Sequence, residues 1–567
     1  MSQPISDPLL KLQALMEGRQ CSFSLSMVHP KDVDSIISSL NNTTAFGFDM
    51  IDTYIIKLIK PEILPAVTHI LNLSIMSSKF PAAWKKSKII PLHKKDDPLD
   101  PKNYRPVAIV PILSKVLERA IFNQLVKYLD KNNLIHPNHH AYRPGHNTTT
   151  ALIQMYDGWL RGVDSGNPVG ACLLDMSAAF DVVDHQLLLD KLSLYGLDNS
   201  SKEWVRSYLN GRTQSVSIEG TLSKLLAVHT GVPQGSILGP LLYTLFTNEL
   251  PEIVHDSPVR HREGNGNVQP WPEYHEEGKD DSICCYADDT TVSISSDNPA
   301  TLSAKLTEKY KLIAQFMVDN RLKLNDDKTH LLVMGRGGEQ TRAQVRIRTA
   351  TEDITPTPCE KLLGCWVHQD LHWSEYIRGN QDSLIRSLST RVTAVKKVRY
   401  LANFKTRKMI AEGIFMSKLS YVIALWGGCE LGLRKTLQVL QNKVAHVVTR
   451  KDWTTTSKVL LQQCGWLSVN QLIFYHTVLL VFKVRQSKSP NYIYRMHNSW
   501  LYPYTTRQAE NGLIRVDVKA KLEVVKNSFR WRAASSFNQL PADIRTCSKV
   551  ESFKRKAKTW IMEHISL

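Results

Sequence analysis

Residues 283–293 read ICCYADDTTVS, so Asp288 and Asp289 break a short β-prone run with two adjacent carboxylates. One reading is a plain hairpin turn, since aspartate is a common turn residue. The other is a turn that presents carboxylates to a divalent cation. Three further stretches bear on the choice. LLDMSAAFDVVDH puts Asp175 at the end of an apolar strand, with Phe180 five residues on. GVPQGSILGP, residues 231–240, is a Gly/Pro-punctuated loop that holds Gln234 and Gly235 and leads into a helix. RLKLNDDKT sets Lys328 just after a turn. If the strands bearing Asp175 and Asp288 share a sheet, three carboxylates converge and repel one another unless cations neutralise them. Two Mg²⁺ ions about 3.5–4 Å apart are the familiar solution for phosphodiester formation. Mg²⁺ takes hard oxygen ligands and keeps some waters, so a few aspartates plus substrate phosphates suffice.

The elements that must position these groups give an α+β reading. The opening segment to about residue 80 is mostly helical, with apolar positions of HPKDVDSIISSL at helical spacing. A basic strand-and-loop stretch, WKKSKIIPLHKKDDPLDPKNYRPVAIVP, precedes the helix SKVLERAIFNQLVKYLDKNN, whose start Ser114 is placed to cap. GACLLDM is a buried strand, HQLLLDKLSLYG a helix, and QSVSIEG with LLAVHTG alternate as hairpin strands. Residues 256–281, rich in Gly, Pro and acid, form a flexible surface insertion whose His261 and His275 are solvated. A helix (LSAKLTEKYKLIAQFMVDN) and a strand (THLLVMG) follow the YADD hairpin.

Of the 567 residues 43% are hydrophobic and 22% charged, ordinary for a globular chain with room for several domains. HTVLLVFKV is the longest apolar run and is too short to cross a bilayer, which argues against a membrane partner. The nine cysteines include no CxxC and read as reduced, buried thiols of an intracellular protein; Cys284 and Cys285, adjacent on a strand, face opposite ways. The chain carries 71 Lys and Arg against 53 Asp and Glu, a formal charge of +18, which suits a polyanion. Between Tyr376 and Arg450 there are fourteen Lys/Arg and three Asp/Glu, a density that favours a backbone-binding surface over a merely soluble basic helical region.

Taken in order, LHKKDDPLDPKNYRP, AYRPGHNTTTAL, LLDMSAAFD, GVPQGSILGP, YADD, LNDDKT and KLLGCWVHQDLHW closely resemble a reverse transcriptase of the non-LTR retrotransposon (LINE) type. The resemblance implies a right-hand polymerase fold: an N-terminal helical extension at 1–80, fingers at 81–170, a palm at 171–340 with the insertion at 256–281, a primer-grip region at 341–375, a basic helical thumb at 376–459 and a mostly helical C-terminal region at 460–567. It implies an RNA-directed DNA polymerase that uses two Mg²⁺ ions, with Mn²⁺ able to substitute, and works on an RNA template, a DNA primer or target DNA and dNTPs. By the same resemblance Asp175 and Asp288 are bridging metal ligands, Asp289 a secondary one, and the Met176 carbonyl a further one. Phe180 abuts the sugar of the incoming nucleotide; an ordinary core ring is the competing reading. Gln234 and Gly235 line the nucleotide and template pocket, and Lys94 (or Lys95) with Arg105 grips the triphosphate. Lys328 protonates the leaving pyrophosphate or is a surface lysine. Arg143 contacts template or stabilises its loop, and Gly364 and Trp366 belong to the primer grip. The family role, target-primed copying of element RNA, places the protein inside the cell, in nucleus and cytoplasm; two readings of the nick stay open, a truncated copy that has lost its endonuclease module or an endonuclease supplied separately. The rival reading is a catalytically inactive, retrotransposon-derived nucleic-acid-binding protein.

Overall fold

The computed structural model describes all residues except 1–6, 44, 95–96, 177, 255–280, 336–337, 350–351, 499–511, 515–519 and 567. The 256–281 insertion thus lies, but for its last residue, outside the described residues, as does Lys95. The strands are β1 (Lys86–His93), β2 (Tyr104–Ile109), β3 (Val169–Leu174), β4 (Arg212–Ile218), β5 (Thr221–Leu222), β6 (Leu226–Val228), β7 (Ser282–Tyr286), β8 (Asp289–Ser295), β9 (His330–Met334), β10 (Pro356–Thr357), β11 (Cys359–Leu362) and β12 (Cys365–His368). With the helices between and after them they make a mixed α/β chain.

One sheet runs β2-β1-β4-β5, with β6 also paired to β4, and β1 and β2 are antiparallel along their length. A second runs β10-β9-β3-β8-β7. Its central strand, VGACLL, is buried on both sides, as a strand covered by helices on each face must be. Side chains alternate between two cores with period two. Val169, Ala171, Cys284 and Leu332 join one core, while Cys172, Leu174, Cys285 and Leu331 join the other. The adjacent cysteines do face opposite ways. None of the nine is in a disulfide, and Cys21, Cys359 and Cys547 are only partly buried, so the expectation of uniformly buried thiols holds for six.

The first core contains the helix Thr148–Ser165, whose Trp159 indole donates to Ser293 on β8 at 2.7 Å, and continues without a break through Leu388, Leu437, Val478 and Ile561. The basic helices and the described helices that follow residue 460 therefore bury their apolar faces together. The second core holds the N-terminal helices, the helix Gly239–Phe246 and the long helix Pro299–Asp319. Ser114 does not cap a helix: the helix starts at Ile112, after Pro111, and leaves Ser114 inside it, with its hydroxyl donating to Glu118 at 2.8 Å. Among the described residues no single helix is long and apolar enough to cross a membrane.

Candidate active site

β3 runs out at Leu174, and the next residue is Asp175. Its carbonyl accepts the Asn325 N–H at 2.9 Å, and the buried Met176 bridges to Leu324, so the chain is held on both sides of the carboxylate. β7 and β8 close on the pair Tyr286 and Asp289, which leaves Ala287 and Asp288 as a two-residue turn. Ala287 has φ +58°, a left-handed backbone unusual for alanine but suited to tight hairpins. β3 pairs with β8 as far as Leu174 opposite Thr290, so the register sets Asp175 opposite Asp289. One sheet edge thus gathers all three carboxylates.

The electrostatics record the crowding. Burial pushes the Asp288 carboxyl up and the Asp175 charge adds to this, while its own backbone N–H and the cations of Arg105 and Lys94 pull it back. Asp289 is pushed up to about 6, first by desolvation and then by Asp288 and Asp175, with Arg105 opposing. Its side chain is solvent-exposed, and water screening weakens that shift without changing its direction. Three carboxylates gathered at one sheet edge are hard oxygen donors of the kind Mg²⁺ takes, so Asp175, Asp288 and Asp289 fit a divalent cation.

The opposite wall comes from the other sheet and the 231–240 loop. Lys94 follows β1 and Arg105 sits on β2 opposite Leu92; both are exposed, and both are felt by the carboxylates. Phe180 is half-buried with its ring 4.5 Å from Tyr243, whose hydroxyl lies 3.0 Å from the Met176 sulfur. The Phe180 carbonyl accepts the Val232 N–H at 2.7 Å, which ties the Asp175 segment to the loop. Gln234 donates its amide to both Asp181 oxygens at 2.9 and 2.8 Å, and its carbonyl accepts the Ala108 N–H at 2.7 Å. Gly235 has φ +113°, and a Cβ there would stand 2.5 Å from the Ala108 carbonyl oxygen, so the loop lies on β2 only because that side chain is missing. Asp175, Met176, Asp288, Asp289, Phe180, Gln234, Gly235, Lys94 and Arg105 are thereby brought to one cleft.

The remaining candidates sit further out. Lys328 is exposed on a short turn that begins after Asn325, the residue gripping Asp175. Arg143 turns inward and donates to the His136 and His139 carbonyls at 3.0 Å each, which braces its own loop. Gly364 (φ +77°) follows Leu363 (φ +46°) in the two-residue turn between β11 and β12, the all-positive pattern of a type I′ hairpin. The Tyr421 hydroxyl donates to the Leu363 carbonyl at 2.6 Å, and Trp366 lies under the Lys361 ammonium.

Glu118 escaped the reading from sequence. It is fully buried, and one oxygen accepts the Ile237 and Leu238 N–H groups at 2.8 and 3.2 Å, so it pins the end of the 231–240 loop where the next helix begins. A glutamate amid the buried face of VLERAIFNQL was the available signal. Elsewhere His368, Asp370 and His372 lie within 4.8 Å of one another, but they are engaged within the chain. Asp370 pairs with Arg342, its N–H donates to His368 Nδ1 at 3.1 Å, and the two rings stack.

Residues 92–410, more than half of the chain, match the family described as Reverse transcriptase (RNA-dependent DNA polymerase). The chain belongs to the reverse transcriptase family. The chain is 28% identical over 442 residues to the RNA-directed DNA polymerase from mobile element jockey of Drosophila melanogaster, covering 76% of this chain and 45% of that protein. It is 25% identical over 455 residues to the probable RNA-directed DNA polymerase from transposon X-element of the same fly, covering 79% and 46%. The jockey polymerase of Drosophila funebris is similar at 26% over 461 residues, 79% of this chain and 47% of that one. The likeness to LINE-type enzymes read from motif order is borne out by these relatives. The chain spans about half the length of the curated relatives it matches. Reverse transcriptases as a family depend on divalent metal, in keeping with the carboxylate cluster.

Proposed function

We propose that the chain is an RNA-directed DNA polymerase that extends a DNA 3′-hydroxyl on an RNA template with dNTPs, in target-primed retrotransposition. The observation that carries this is the convergence of Asp175, Asp288 and Asp289 on one sheet edge, faced by the cations Lys94 and Arg105. The three aspartates, with the Met176 carbonyl, would hold two Mg²⁺ ions (or Mn²⁺), which when bound activate the primer hydroxyl and neutralise the triphosphate. Lys94 and Arg105 bind the phosphates by charge-assisted contacts. Phe180, backed by Tyr243, presents a ring face that leaves no room for a 2′-hydroxyl and so favours deoxynucleotides. Gln234, oriented by Asp181, and Gly235 bring the loop backbone against the nascent pair. Lys328 supplies the proton for departing pyrophosphate. Catalysis of this kind is positioning plus charge neutralisation.

In this reading the β1–β2 sheet belongs to the fingers, the β3 sheet is the palm, β11–β12 is the primer grip and the basic helices are the thumb. On the helix Leu384–Lys397 the residues Leu384, Leu388, Val392 and Val395 are buried while Arg386, Lys396 and Lys397 are exposed, a face suited to tracking a phosphate backbone. The work is done in the nucleus after synthesis in the cytoplasm, at a nick made by an endonuclease. An inactive relic would be expected to have lost part of the aspartate set, which is intact. The test is dTTP incorporation on poly(rA) primed with oligo(dT), with Mg²⁺ or with EDTA, beside the Asp288→Ala, Asp289→Ala double variant. Metal-dependent extension absent from the variant supports the proposal; a folded parent protein that binds the hybrid but adds no nucleotide refutes it.

A further inference from the structure

Of the two readings of Arg143, a template contact or a brace for its own loop, the hydrogen bonds fit the brace. Residues 138–140 lie along the free edge of β7. The Cys285 N–H donates to the Asn138 carbonyl and the His140 N–H donates to the Cys285 carbonyl, each at 2.9 Å, and His139 bridges to Cys285. The loop is therefore stitched to the strand that enters the Asp288 turn, three residues before that aspartate. Arg143 closes it from beneath through the His136 and His139 carbonyls, and burial pushes its guanidinium down to about 10.

Between the buried Ala141 and the braced Arg143 stands Tyr142. Its φ is +59°, a conformation that costs a non-glycine residue about 1–2 kcal/mol. The side chain is 45% exposed. Because residues 138–140 pair with Cys285 on the strand that runs into the Asp288 turn, Tyr142 stands beside that turn, and its hydroxyl pKa is raised first by burial and then by Asp288. Among the described residues no hydrogen bond uses that hydroxyl. A strained backbone that holds a large, half-exposed ring beside the Asp288 turn with its hydroxyl unbonded points to a contact outside the chain.

We propose that Tyr142 is this loop's contact with the template–primer duplex, its ring lying against the terminal base pair beside the Asp288 turn, with Arg143 as its buried brace. The inference rests on the polymerase reading above. The chemistry suits a surface that must accept every sequence. A ring face packs on any sugar or base, and a phenol hydroxyl can donate to the minor-groove acceptors that every base pair presents.

Tyr142→Gly removes the ring at a φ that glycine adopts freely, and Tyr142→Phe keeps the ring alone. Binding of a fluorescein-labelled RNA–DNA primer–template is measured by anisotropy for the parent and both variants, with melting temperatures alongside. The expected result is binding weakened by about 5- to 100-fold in Tyr142→Gly at an unlowered melting temperature, and mostly retained in Tyr142→Phe. Tyr142→Gly that binds within about twofold of the parent overturns the proposal, as does weakened binding that comes with a lowered melting temperature. Anisotropy needs no turnover. A parent that binds the hybrid without extending it sinks the polymerase reading and leaves this one to be judged on the variants, whereas a parent that binds no hybrid sinks both.

Discussion

Replacing Gly235 by alanine asks how tightly the 231–240 loop is seated. The added Cβ would lie 2.5 Å from the Ala108 carbonyl oxygen, inside the 3.0 Å that real Cβ contacts respect, so the loop must lift by about half an ångström. Alanine must also hold φ +113°, which costs about 1–3 kcal/mol. Lifting strains the bond from the Ala108 N–H to the Gln234 carbonyl, now 2.7 Å, worth about 0.5–1.5 kcal/mol. The stiffer unfolded chain returns about 0.4–1 kcal/mol. The net penalty is about 1–3 kcal/mol, and it emerges in one of two ways. If the loop stays seated, the melting temperature falls. If it lifts, the proposed nucleotide pocket opens and kcat/KM for dTTP drops by about 10- to 100-fold, the scale expected when a positioning element moves by a fraction of an ångström to an ångström. Thermal unfolding and steady-state primer extension on the same preparation separate these outcomes. A Gly235→Ala protein unchanged in both would show that the loop is not built on β2 as argued.

Four further perturbations follow from the same geometry. Glu118→Ala leaves the Ile237 and Leu238 N–H groups without an acceptor and should destabilise the chain by about 3 kcal/mol while raising KM for dNTP, with Glu118→Gln intermediate; an unchanged melting temperature counts against the anchor. The folded Asp289 carboxyl binds its proton more tightly than the unfolded one, so in EDTA stability falls as pH rises from 3.8 to about 6. Asp289→Asn should therefore raise the melting temperature at pH 7 and leave it nearly unchanged at pH 3.5, and Mg²⁺ should stabilise the parent more than the variant. Phe180→Val should admit ribonucleotides, read as rUTP incorporation on poly(rA); continued exclusion would make the ring a packing residue. Lys396→Ala with Lys397→Ala should lower the slope of log affinity against log salt for an RNA–DNA hybrid by up to about two, uniformly across sequences, and an unaltered slope would remove that helix from the interface.

The carboxylate turn was legible because its determinants are local: a two-residue turn, a buried strand ending in aspartate, and β-prone flanks with period-two burial. The loop around Gln234 was legible in kind, since its Gly and Pro residues announce a tight path, but not in what holds it. Glu118 lies more than a hundred residues earlier, and only folding brings it to the Ile237 and Leu238 amides. Ser114 misled for a related reason: Pro111 starts the helix earlier, and the serine serves Glu118 instead. For AYRPG, charge drew attention to Arg143, whereas the carbonyls that capture it come from residues whose placement follows from pairing with β7. The C-terminal region had no clear edge in the sequence because its apolar residues complete a core begun by the basic helices and the helix Thr148–Ser165.

The sheet that ends in Asp175 and Asp288 is a party wall. Cys284 and Ala171 press into the core shared with the basic and C-terminal helices, while Cys285 and Cys172 press into the core of the N-terminal half. Neither half can swell or contract without leaning on strands that also carry the three carboxylates at their tips. A methyl group lost in either core therefore tilts the same wall, and a substitution chosen to harden one half against heat is felt as a change of aim at the turn. In such an architecture thermal tolerance and turnover are tuned by the same packing, so the two properties will drift together as copies of the sequence diverge.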